Sequence, residues 1–133
     1  MTDYDDEIWD RKRGMYFDRQ GTELSLREWA PLFEDFTYVD VRHDNVDDVR
    51  ISTVWLGLNH NFRPGPPHIF ETMVFNGPFH GDYWRHATEE EAIRCHEETV
   101  ALMREAAASG RPSLTRAERL VLAQLDKEIA DDA

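Results

Sequence analysis

The chain is short of the features that most often announce a function. It has one cysteine, Cys95, so no intrachain disulfide can form and nothing suggests an oxidising compartment. No apolar run approaches the ~20 residues that a membrane-spanning helix needs. The opening stretch, MTDYDDEIWD, carries acids where a secretory leader carries bases. These absences predict a soluble cytoplasmic protein with no membrane partner. Bases are also scarce, 15 against 27 acids, for a formal net charge of −12. Such a charge disfavours DNA, RNA and anionic lipid as ligands. It suits a basic protein partner, including one whose own ligand is DNA. Nucleotide and hydrolase signatures are missing too: there is no GxGxxG, P-loop, GxSxG or HExxH. Gly57, Gly65, Gly77 and Gly81 are too scattered for a phosphate cradle. No cofactor is expected.

What the chain does have is 41% hydrophobic residues, with four Trp, seven Phe and four Tyr among its 133 positions. That is one domain's worth of chain and enough to bury a core without staples. The most informative stretch runs from Val49 to Thr88. VRISTVWLGL, HIFETMVF and DYWRHAT are rich in β-branched and aromatic residues, and NHNFRPGPP and NGPFHG separate them. This is the pattern of consecutive antiparallel strands. Upstream, residues 38–43 alternate as a half-buried strand, and Asp44-Asn-Val-Asp-Asp48 reads as the turn after it. Short links favour neighbouring strands, so 38–43, 49–58, 68–75 and 82–87 form a four-stranded meander with the second strand central.

Helices flank this sheet. Residues 1–13 form an acidic arm with Trp9 as its candidate anchor, and residues 14–20 a short strand ended by Gly21. Ser25 and Glu28 make a capping box for a short helix that Pro31 should kink or shorten, ending near Asp35. Thr88 and Glu91 make a second box, opening a helix to about Ala108 with Ala92, Ile93, His96, Val100, Met103 and Ala107 in one stripe. Thr115 and Glu118 make a third, for a helix within 111–133 whose stripe includes Leu114, Val121, Leu125 and Ile129. The fold class is therefore α+β, with the domain at 14–110 and the C-terminal helix beyond it.

Six histidines raise the question of a metal. In the meander, loops 44–48 and 76–81 lie at one end and loop 59–67 at the other, separated by about 26 Å of strand. His60 and His68 can meet, but a zinc site wants three or four ligands. His43, Asp44, Asp47, Asp48, His80 and Asp82 could gather at the opposite end around Mn²⁺ or Mg²⁺, although Asp and Asn are also ordinary turn residues. Glu71 is the one charged residue of its strand. It is a candidate catalytic carboxylate if its environment perturbs it, and otherwise the partner of Arg85 or Arg50. His96 reads as a satisfied core histidine, and Cys95 beside it points about 100° away, so the two form no dyad.

The pieces Ser25-Leu-Arg-Glu-Trp29, Ser52 to His60, Ile69 to Phe75 and Arg85 to Ala92, in this order, resemble a group of small phage- and prophage-encoded proteins, mainly of actinobacteria and their phages. The resemblance covers roughly residues 16–100. It implies a phage accessory role in a bacterial host and assigns no functional residue. The favoured function is non-enzymatic binding of a host or phage protein, with two candidate contact surfaces. One is the acidic group Asp44, Asp47 and Asp48. The other is the stripe Val121, Leu125 and Ile129, which could also join two copies of the chain. The alternatives are a small metal-dependent or carboxylate-based enzyme and a virion component.

Overall fold

The computed structural model describes residues 8–109 together with Val121 and Gln124. Two short strands, β1 (Tyr16–Phe17) and β2 (Glu23–Leu24), form a small hairpin. The Asp18 carboxylate shapes its turn by accepting the Gln20 and Thr22 N–H groups. The expected strand over 14–20 is thus cut to two residues, because this turn begins at Asp18. The hairpin lies across the end of the main sheet: Phe17 N–H donates to the Gly57 carbonyl at 2.8 Å and Asn59 N–H to the Met15 carbonyl at 2.9 Å.

The first helix, α1 (Leu26–Glu34), starts on the predicted capping box. Glu28 N–H donates to Ser25 Oγ at 3.2 Å, and Ser25 N–H to Glu28 Oε1 at 3.0 Å. It continues through Pro31 and closes at Asp35, as expected. Asp35 then caps a single turn, α2 (Phe36–Val39), by accepting from Thr37 N–H and Oγ1. This capped turn takes the place of the expected strand start at Tyr38, so the next strand begins at Asp40.

The main sheet has the predicted order. It contains β3 (Asp40–Val46), β4 (Val49–Trp55), β5 (Phe70–Phe75) and β6 (Tyr83–His86), each antiparallel to the next. β3 reaches Val46, so the β3–β4 turn is only Asp47–Asp48 rather than the whole of 44–48. Asp47 takes φ of 52° there, a left-handed conformation that Asp tolerates. A register shift lies between Asp40 and Arg42.

The long helix α3 (Glu89–Ser109) covers one face of the sheet. Thr88 Oγ1 accepts from Glu91 N–H at 3.2 Å, while the Glu91 carboxylate takes the Ala87 N–H, one residue earlier than a reciprocal box would place it. Beneath α3 the core falls into two apolar groups. Trp55, Ile69, Phe70 and Ala92 form one; Val46, Ile51, Val74, Phe79, Val100 and Met103 form the other. Trp55 is fully buried, with its indole N–H on the Phe17 carbonyl at 3.0 Å and Tyr38 edge-on at 4.8 Å. Gly57 takes φ of 69°, and a Cβ there would come within 2.2 Å of the Trp55 ring and 2.6 Å of Trp29 Nε1. β4 is central as predicted. The reason differs, because Ser52 and Val54 on its other side are only half-buried.

Candidate functional site

Between the two apolar groups runs a row of polar side chains, one from each strand of the main sheet and one from α3. Asp44 comes from β3, Thr53 from β4, Thr72 from β5, His86 from β6 and His96 from α3. His96 is 1% exposed and both of its ring nitrogens are engaged. Nε2 lies 2.7 Å from Asp44 Oδ2, and Nδ1 lies 2.7 Å from Thr53 Oγ1. Thr53 Oγ1 also meets Thr72 Oγ1 at 2.7 Å, and Thr72 Oγ1 meets His86 Nε2 at 3.2 Å. Both threonines are fully buried.

Local structure explains the row. Arg42 pairs in register with Thr53, and Thr53 with Thr72, so alternation puts both threonines on the face beneath α3. His96 sits mid-stripe on α3, above them. Buried hydroxyls and imidazole need partners, since an unmet buried donor or acceptor costs about 1–3 kcal/mol. Here each finds one within the row.

At the Asp44 end the row opens on a cleft of about 220 Å³ between β3 and α3, lined by Arg42, Asp44, His96, Glu97, Val100 and Arg104. The Asp44 side chain is 43% exposed. Arg42 Nη1 holds Glu97 Oε1 at 2.6 Å across the cleft. At the other end, burial pushes the His86 ring below its ordinary pKa, with the nearby Glu91 charge opposing and His68 adding to the fall. Thus the row joins a half-open carboxylate to a histidine held towards its neutral form.

The acids and histidines that could have gathered at this end of the sheet do not. His43 and Asp44 are consecutive in a strand, so they point to opposite faces. His43 Nδ1 lies 2.8 Å from Asp40 Oδ2 on the open face, while Asp44 turns towards α3. Asp44 is therefore not a turn acid like Asp47 and Asp48, which are exposed at the hairpin tip. His80 Nδ1 accepts the Asn76 N–H at 2.8 Å, and its ring stands 6.5 Å from that of Phe75. Asp82 lies just before β6, its carbonyl accepting the Val74 N–H. No group of three or more His, Cys, Asp or Glu among the described residues is arranged to hold a metal ion.

Of its two candidate partners, Arg85 and Arg50, Glu71 takes Arg85, whose Nε lies 3.2 Å from its Oε2, on the open face. His60 is near enough to feel both charges. Its pKa is lowered, first by burial and then by Arg85, with Glu71 opposing. His60 and His68 do meet, through a backbone bond from His60 N–H to the His68 carbonyl at 2.9 Å. Val121 is helical and 59% exposed; Leu125 and Ile129 lie outside the described residues.

His96 is the satisfied core histidine that its place in the stripe suggested. Its partners were not foreseen. The available signal was threonine at two inward positions of neighbouring strands, where the other inward residues are Ile51, Trp55, Phe70 and Val74.

Comparison with family models, curated proteins and solved structures finds no match for the chain. Among the described residues no helix is long and apolar enough to cross a membrane.

Proposed function

We propose that this protein is a small acidic accessory protein of a phage or prophage, working in the bacterial cytoplasm. On this reading it acts by binding a basic protein partner, of the kind that itself binds DNA, rather than by catalysis. One observation supports this above the others: an acidic tip and an apolar patch share one end of the uncovered sheet face. The tip is Asp47–Asp48, tied to the patch by Asn76 Nδ2 donating to the Asp48 carbonyl at 3.1 Å. The patch is Phe75 and Tyr83, 37% and 43% exposed, with the half-buried Met73 paired to Tyr83 and the Arg85 guanidinium over the Tyr83 ring at 4.8 Å. An outward face of an antiparallel sheet is usually polar, and interfaces are enriched in aromatic residues at their core, with a polar rim around them.

The test is capture from host lysate with wild-type and altered protein. Capture should weaken steeply as salt shortens the Debye length from ~10 Å at 0.1 M to ~3 Å at 1 M. Asp47→Asn with Asp48→Asn should slow association, since turn positions accept Asn. Phe75→Ser with Tyr83→Ser should abolish retention. A partner held equally at both salt concentrations and indifferent to all four changes would overturn the proposal.

A carboxylate-based enzyme is the second reading, favoured by the half-open Asp44 in its cleft with His96 behind it. Thr53 cannot serve as its nucleophile, being fully buried. Any such chemistry would centre on Asp44 and disappear in Asp44→Asn with the fold retained.

A further inference from the structure

The donor and acceptor roles along the buried row are fixed by its Asp44 end. A carboxylate only accepts, so neutral His96 must carry its proton on Nε2 and present a lone pair at Nδ1. Thr53 therefore donates its O–H to His96 Nδ1, and its oxygen must accept from Thr72 O–H. The Thr72 oxygen in turn must accept from His86 Nε2–H. Every hydrogen bond points towards Asp44, and His86 is left with a lone pair on Nδ1.

We propose that this row is a one-proton relay across the sheet, by which a proton taken up at His86 on β6 is delivered to His96 beside Asp44 on β3. The row spans three strand spacings, about 14 Å. A proton enters at His86 Nδ1, and the ring passes its Nε2 proton to Thr72. Thr72 passes its own hydroxyl proton to Thr53, and Thr53 passes its own to His96 Nδ1. One proton has moved in, no electrons have moved, and the three bonds between His96 and His86 now point away from Asp44, while His96 Nε2–H still donates to it. His86 ends neutral with its proton on Nδ1, and imidazolium faces carboxylate at 2.7 Å. The imidazolium is buried and the carboxylate half-open, so their attraction exceeds its value in bulk water but is screened at the Asp44 end.

The charged groups around the two ends suit this direction. His96 faces Asp44 from β3, with Arg42 from the same strand and Glu97 and Arg104 from α3 lining the cleft beside it. β4 and β5 offer it only the two threonines. His86 faces Glu91 and His68 and is held towards neutrality by burial. Two buried hydroxyls therefore tie the state of one histidine to that of the other, and the relay gives the α3–sheet contact two arrangements that pH selects.

Side-chain ¹⁵N NMR of the histidine rings, followed down in pH, tests the relay. Above the histidine range both His86 and His96 should carry hydrogen on Nε2. On acidification His86 should exchange Nε2–H for Nδ1–H while staying neutral, with the same midpoint at which His96 gains its second proton. In Thr53→Val, which keeps the side-chain shape and removes the hydroxyl, His86 should keep Nε2–H throughout. His96 with hydrogen on Nδ1 at high pH, or a His86 that never changes tautomer in the wild type, would overturn the relay. So would an unaltered tautomer exchange in Thr53→Val. The two wild-type readings decide the matter even if that variant does not fold.

Discussion

Under α3, the chain Asp44–His96–Thr53–Thr72–His86 is closed off from water along most of its length and each link has a partner at 2.7–3.2 Å. On the opposite face, Asp40 with His43 and Glu71 with Arg85 make polar pairs whose side chains keep 18% and 53%, and 16% and 31%, of their exposure. The residue types are alike; the difference lies in the middle of the row, where Thr53, Thr72 and His96 are shut off from water although Asp44 is 43% exposed. Where water can replace a lost partner, a polar contact contributes little. Where it cannot, the same contact becomes a constraint on rotamer, tautomer and register. The covered face is therefore where this protein stores specificity. The open face exposes Phe75 and Tyr83, with the Arg85 guanidinium over the Tyr83 ring at 4.8 Å.

Substitutions can sharpen or break this contrast. The largest effect belongs to the apolar part of the covered face. Trp55→Ala should destabilise by about 3–5 kcal/mol, read as a fall in the urea midpoint. A midpoint near wild type would mean that the covered face is not the core.

Next comes the buried row. Asp44→Ala removes the acceptor of a buried imidazole N–H and should cost about 1–3 kcal/mol. Asp48→Ala, at an exposed turn position four residues later, should stay within about 0.5 kcal/mol. Equal losses from the two would erase the distinction drawn between them.

On the open face, Glu71→Gln should change stability by about 0–1 kcal/mol, because Arg85 remains in reach of water. A larger loss by chemical denaturation would show that the face is covered in solution, for instance by a second copy.

The smallest effect is a slope. His86 and His60 have folded-state pKa values below the ordinary 6.5, chiefly through burial. Between that lowered value and 6.5 the unfolded chain binds more protons, so stability from these groups rises with pH. It should fall as pH drops through 6.5 and level off below the folded pKa. His86→Gln should flatten its share of the slope, measured as denaturation midpoints across pH 5 to 7.5.

Much of the architecture was legible because it is written locally. The strand order 3-4-5-6, the Ser25–Glu28 box, the stop at Asp35 and the span of α3 follow from alternation, turn chemistry and capping, each contained within a few residues. The pairing of Glu71 with Arg85 was also within reach, since neighbouring strands of known order leave few partners for a lone acid.

The site was not legible in the same way. Whether Asp44 belongs to a turn or a strand depends on where β3 stops, and β3 stops at Val46 because that residue is buried under α3 and Asp47 can take positive φ. One residue of strand decides which face an acid points to, so His43 and Asp44 parted although they are adjacent in sequence. Composition fixed the charge, the lack of an intrachain disulfide and the amount of core. Local pattern fixed the elements and their order. Only the tertiary structure decided that Thr53, Thr72, His86 and His96 fall into one row with Asp44. That alignment rests on strand register and on the seat of α3, which are settled by packing between residues up to 52 positions apart.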